Sequence, residues 1–99
     1  MTLRLLDQAA DDLVVGYRFY EAQRPGLGDY FLDNLYGDIE SLYLYGGIHR
    51  RVWKRYQRLL SKRFPFAIFR TLANDEVRVH AVLDCRRDPA WIEAQLRRR

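Results

Sequence analysis

A chain of 99 residues and 11.9 kDa has room for one hydrophobic core, because chains divide into separate cores only well beyond ~200 residues. An apolar share of 48%, with seven Tyr, five Phe and two Trp, excludes a disordered chain, and no apolar run approaches the ~20 residues that span a bilayer. A single cysteine, Cys85, excludes an internal disulfide framework, and two histidines without His-x-x-x-His or Cys-x-x-Cys spacing leave no expectation of a metal or other cofactor. The opening MTLRLLDQ lacks the apolar stretch of a secretion signal, so a soluble, cytoplasmic protein with no membrane partner is expected.

Net charge of +4 conceals two halves of opposite sign. Residues 1–47 carry three basic groups (Arg4, Arg18, Arg24) against eight acidic ones, whereas residues 48–99 carry fourteen against five. Of the 17 basic residues, 15 are Arg, whose planar fork grips phosphates and carboxylates in pairs. The second half is thus expected to meet an anionic partner, a nucleic acid or an acidic protein segment, unless it is simply a solvated basic surface.

Residues 2–6, Thr-Leu-Arg-Leu-Leu, alternate weakly and read as a short strand ending at Asp7, a residue type suited to a helix N-cap. From there Ala9/Ala10, Leu13/Val14, Tyr17 and Tyr20 recur at three-to-four spacing and predict a helix to about Gln23. Asp11 and Asp12 sit in its first turn, where the helix dipole favours anions, as Asp29 and Asp33 do in the next helix; neither pair needs a metal. Arg24-Pro25-Gly26-Leu27-Gly28 breaks the first helix, and lacks the Lys and Ser/Thr of a phosphate-binding loop. The stripe Leu27, Phe31, Leu35, Ile39, Leu42 predicts a second helix, stopped by Gly46-Gly47 and antiparallel to the first.

Residues 48–63 are ambiguous: periodicity slightly favours a helix with apolar Val52, Tyr56 and Leu59, but a strand from about Tyr56 also fits. In Trp53-Lys54-Arg55-Tyr56 the aromatics suit base stacking, but packing under the helical hairpin is the stronger reading. Phe66–Thr71 is rich in strand formers. After the turn Ala73-Asn74-Asp75-Glu76 comes a strand with Val77, Val79, Ala81 and Leu83 on one face and Arg78, His80, Val82 and Asp84 on the other. Asp88-Pro89 opens a short helix over 89–97, with Trp91, Ile92 and Leu96 on its apolar edge.

Three words in this order, Pro25-Gly26-Leu27-Gly28 with Phe31, Lys62-Arg63-Phe64-Pro65-Phe66, and Ala81-Val82-Leu83-Asp84-Cys85-Arg86-Arg87-Asp88-Pro89, give the chain its character. Together they resemble the RelE/ParE superfamily of bacterial type II toxin–antitoxin toxins, nearly end to end. The resemblance implies an α+β domain over residues 1–99, ordered β-α-α-β-β-β-α, with an antiparallel-rich sheet. It also implies a strand near 57–63, a helical hairpin on one face of the sheet, and an open basic face on the other. Members either cleave messenger RNA on the ribosome or poison DNA gyrase, and a cognate antitoxin with an acidic tail restrains them in a hetero-oligomer.

RNA cleavage requires cations for the phosphate and an acid–base partner. Arg58, Lys62, Arg63, Arg86 and Arg87 supply cations, but after Leu83 there is neither Tyr nor His, and Asp84 stands where many relatives carry His. His80 is left as a weak catalytic candidate beside Arg58, Lys62 and Arg86. The resemblance therefore leans towards the gyrase-directed, ParE-like branch, which performs no bond chemistry. Arg58, Lys62, Arg63, Arg78, Arg86, Arg87 and Trp91 are then the candidate contacts to target or antitoxin. Arg86 and Arg87 have a structural alternative, setting the turn and clamping Asp84. A chain that keeps the fold as a non-toxic adaptor or DNA-binding accessory is the third reading.

Overall fold

The computed structural model describes residues 2–44, 51–53 and 56–99, with side chains for 2–41 and 56–99. In chain order these form β1 (Thr2–Leu5), α1 (Asp7–Gln23), α2 (Leu27–Leu44), β2 (Arg51–Trp53), β3 (Tyr56–Leu60), β4 (Phe66–Ala73), β5 (Glu76–Asp84) and α3 (Pro89–Arg97). The strands make one sheet in the order β1-β5-β4-β3-β2, antiparallel except that β1 lies parallel to β5. The expected α+β order is present with one short strand, β2, added. The Gly46-Gly47 stop and the side chains of Trp53, Lys54 and Arg55 lie outside the described residues.

Helix α1 starts one residue earlier than the Asp7 cap reading: Leu6 occupies the cap position without a side-chain bond, and Asp7 is already helical. Its C-terminal end is fixed by the turn itself. Gly26 takes φ 88°, and the Glu21 carboxylate accepts from the backbone N–H groups of Gly26 and Gly28 at 3.0–3.1 Å. The two helices approach closely at Gly16, where a Cβ would lie 2.5 Å from the Phe31 ring. Ala9, Leu13, Tyr20, Phe31, Leu35 and Ile39 thereby meet Phe66, Ile68, Val77, Val79 and Val82 of the sheet. Aromatic rings knit one end of this core, with Tyr20, Phe31 and Phe64 at 4.9–5.1 Å between centroids.

Strand β5 does not keep one face throughout. Its register with β4 runs Arg70↔Val79 and then Phe69↔Ala81, so His80 is an extra residue, a bulge that reverses side-chain parity. Val77 and Val79 face the helical hairpin, but Ala81 and Leu83 do not, and Val82 takes their place. Ala81 and Leu83 instead join Tyr56, Ala67, Phe69 and Leu96 in a second apolar cluster on the opposite face, closed by Trp91 and Ile92 of α3. That face is therefore covered in part by α3 rather than open. His80, expected to point outwards, is buried at 7% exposure; its ring stands edge-on to Tyr56 and its Nε2 lies 2.7 Å from Thr71 Oγ1.

The strand expected over 57–63 ends at Leu60. Ser61 N–H bonds to Phe66 O and Phe66 N–H to Phe64 O, both at 2.8 Å, which closes a turn that carries Lys62 and Arg63 off the sheet. Pro65 lacks a donor for a continued ladder, so the strand breaks there. Arg70, on β4, is fully buried, and burial lowers its guanidinium pKa.

Candidate functional site

Register brings the charged segments to one end of the sheet. Phe66 pairs with Asp84, and Cys85 N–H donates to Pro65 O at 2.8 Å, so the β3–β4 turn lies beside the connection from β5 to α3. Lys62 and Arg63 from the turn and Arg86 and Arg87 from the connection are all exposed there. Arg58, exposed on β3 and paired with Phe69, stands further along the sheet.

Arg86, Arg87 and Arg63 are each held differently. The Arg86 fork binds Asp84, Nε to Oδ1 at 3.1 Å and Nη2 to Oδ2 at 2.8 Å, while its backbone N–H reaches Oδ1 at 2.8 Å. Hydrogen bonding from Arg86 holds the Asp84 carboxyl below its ordinary value, against an opposing effect of burial. Arg87 is exposed and stacks over Trp91, its guanidinium carbon 3.8 Å from the ring centroid. Asp88 caps α3 by accepting from Ala90 N–H at 2.9 Å, with Pro89 at the first helical position. Arg63 donates to the Tyr30 hydroxyl at 3.1 Å, and that bond raises its pKa.

Beside Arg87 a groove of about 410 Å³ runs between α1 and α3. Val15 and Phe19 of α1, 66% and 52% exposed, form one wall, Trp91 the other, and Phe66 and Leu83 line it as well. On the other flank of α3, a hollow of about 290 Å³ is lined by Arg58, Phe69, Cys85 and Ile92. Burial there pushes the Cys85 thiol up in pKa, partly offset by Arg58. The groove between α1 and α3 is apolar with Arg87 at its edge and Asp12 and Asp84, each paired with an arginine, in its lining, which suits an apolar segment that brings an acidic side chain to Arg87.

Arg78 and His80 do not belong to this group. Arg78 pairs with Thr71 towards the start of β5, five register positions from Asp84 and Phe66 and thus roughly 17 Å away along the strand. Its guanidinium is engaged with Glu76. His80 is buried between these regions. The arrangement therefore offers cations for a phosphate at the Arg86 end but does not bring the histidine to them.

Three side chains that sequence reading passed over help to build the site. Asp12, read as a helix-dipole residue, reaches across to β5, where β1 has stopped pairing at Leu5↔Val79. There its Oδ2 accepts from Val82 N–H at 2.9 Å, and the Arg99 fork grips the same carboxylate, with Nη2 to Oδ1 at 2.9 Å. Arg99 Nη1 also donates to His80 O at 3.2 Å, so the pair supplies the bonds that a neighbouring strand would give the exposed edge of β5. Asp38, on α2, is the third and accepts from the β3–β4 turn. No local pattern marks such residues, since their partners are 70, 87 and 23–24 positions away in sequence.

Among the described residues no group of three or more His, Cys, Asp or Glu side chains is placed to hold a metal ion, and no helix is long and apolar enough to cross a membrane. No protein-family model matches the chain, and no curated protein matches it significantly. Among solved structures the chain shares its fold with a chain of the chromosomal ParDE TA system from P. aeruginosa. The TM-score is 0.75 at 20% identity, over 83% of this chain and 92% of that one. The shared fold is the one implied by the resemblance of the three sequence words.

Proposed function

We propose that the chain is a ParE-like toxin of a bacterial type II toxin–antitoxin system. It acts in the cytoplasm, inhibits DNA gyrase, and is neutralised by a cognate antitoxin whose acidic, apolar segment occupies the groove between α1 and α3. The fold shared with a ParDE chain supports the class. The observation that carries the mode of action is the clustering of Lys62, Arg63, Arg86 and Arg87 at one end of the sheet while His80 stays buried away from them. Among the described residues this cationic, aromatic surface carries no imidazole, which suits binding to a protein–DNA target better than proton transfer.

Within that surface the cations divide their roles. Arg86 is engaged with Asp84 and shapes the connection, so Arg87, displayed on Trp91, is the contact residue. Purified chain is expected to inhibit gyrase supercoiling and trap cleaved DNA. Arg87→Ala is expected to reduce this by at least about tenfold, and the Arg86→Ala/Arg87→Ala double variant further, with folding retained in circular dichroism. Undiminished inhibition by a folded double variant would refute the role of this end of the sheet.

Ribosome-dependent RNA cleavage has one observation in its favour, the Tyr30 hydroxyl beside Arg63. A phenol beside a cation can carry a proton. A chain that arrests growth without touching gyrase, and loses that effect on Tyr30→Phe, would establish this reading instead.

A further inference from the structure

Asp38 is one of the few buried charged residues, at 6% exposure, and a carboxylate is placed there only if its hydrogen bonds offset its desolvation. It does not direct them to the neighbouring cationic side chains. Its Oδ2 accepts from the Ser61 hydroxyl at 2.7 Å and from the backbone N–H of Lys62 at 3.3 Å, while Ser61 Oγ in turn accepts from Phe64 N–H at 3.4 Å. Tyr30, two turns earlier on α2, receives Arg63, and the Phe64 ring packs at 5.1 and 5.8 Å from Phe31 and Tyr30. Helix α2 thus grips the Ser61–Pro65 turn at both ends, and Lys62 and Arg63 are presented from a fixed backbone.

We infer that Asp38 is a positioning residue: it holds the β3–β4 turn so that Lys62 and Arg63 offer a preorganised pair of cations to an acidic protein segment. This rests on the reading of the chain as a toxin restrained by an acidic partner. A flexible turn would have to be ordered on binding, and holding it beforehand removes that cost. An anion beside two cations also lowers their attraction for an acidic ligand, so its presence is better explained by the geometry it enforces than by its charge.

Two substitutions separate these effects, because Asp38→Ala and Asp38→Asn remove the same charge and only Asn keeps an acceptor oxygen. The probe is a fluorescein-labelled peptide of alternating glutamate and leucine, titrated by anisotropy at several salt concentrations. Asp38→Ala is expected to weaken binding about five- to tenfold and to flatten the salt dependence towards that of Lys62→Ala/Arg63→Ala. Asp38→Asn is expected to bind as tightly as the parent or tighter. NMR order parameters of the Lys62 and Arg63 amides should fall in the Ala variant only.

Equal binding by the two variants, or tighter binding by both, would overturn the inference. Should Asp38→Ala fail to fold, Ser61→Ala removes the bridging hydroxyl while leaving the carboxylate, and an unchanged affinity there would overturn it as well. Neither readout involves gyrase or growth, so failure of the toxin reading would leave these results distinct from failure of the positioning role.

Discussion

The two faces of the sheet are built on different principles. On the hairpin face, Leu13, Phe31 and Leu35 pack against Ile68, Val77 and Val79 in a continuous apolar layer, with both helices joined by a turn of three residues. On the other face, the short α3 rests on Leu96, on the Tyr56 hydroxyl donating to Leu96 O at 3.3 Å, and on the part-buried Asp12–Arg99 pair. One face is held by a large apolar area, the other by a smaller apolar cluster and a few directed bonds. The lesson is that the hairpin face secures the fold, whereas the α3 face, which displays Arg87 and Trp91, is adjustable without rebuilding the core.

The comparison can be broken first on the hairpin face. Phe31→Ala removes a fully buried ring from the centre of the aromatic cluster and is expected to cost about 4 kcal/mol, with the whole domain unfolding earlier in urea. A purely local effect on α1 and α2 would show that the face is not a single cooperative unit. On the α3 face, Asp12→Ala is expected to cost about 2 kcal/mol, since it leaves Val82 N–H without its acceptor and takes the carboxylate partner from Arg99. Hydrogen exchange should localise the loss to α3 and the end of β5. Equal loss of protection across β4 and the hairpin would erase the contrast between the faces.

The smallest expected effect is at the connection itself. Arg86→Ala releases an Asp84 carboxyl whose pKa lies below its ordinary value when folded. A depressed carboxylate contributes stability above its unfolded pKa, about 3.9, and loses it as pH falls through the folded value. The variant is thus expected to be less stable than the parent by under about 1 kcal/mol at pH 7, and the gap should close in acid below that range. A gap independent of pH would mean that Arg86 acts by packing rather than through Asp84.

What could be read from the sequence follows the same division. Helices α1 and α2 carry their apolar residues at helical spacing, so their places in the chain and most of their described buried faces are written locally, although Val14 of the α1 stripe is exposed. The strand formers around β4 and β5 are equally plain. The parity of β5 is not, because a bulge at His80 leaves the alternation looking regular while Ala81 and Leu83 have changed sides. Lys62 and Arg63 look like strand residues until Pro65 is given its place in the turn. That Arg63 and Arg87 share one end of the sheet depends on the Phe66↔Asp84 register, and the work of Asp12 and Asp38 depends on partners brought near only by the finished fold.

The Asp12–Arg99 pair joins residues 87 positions apart, almost the full length of the chain. Closing so long a loop costs more entropy than any contact within the hairpin, so the pair assembles after the rest of the fold has brought its ends together. An interaction absent at the folding barrier leaves the rate of folding nearly unchanged and acts instead on the rate of unfolding. The seam between the first helix and the last residue is thus a determinant of how long the folded molecule persists, and of how long the α3 surface stays presented once it has formed.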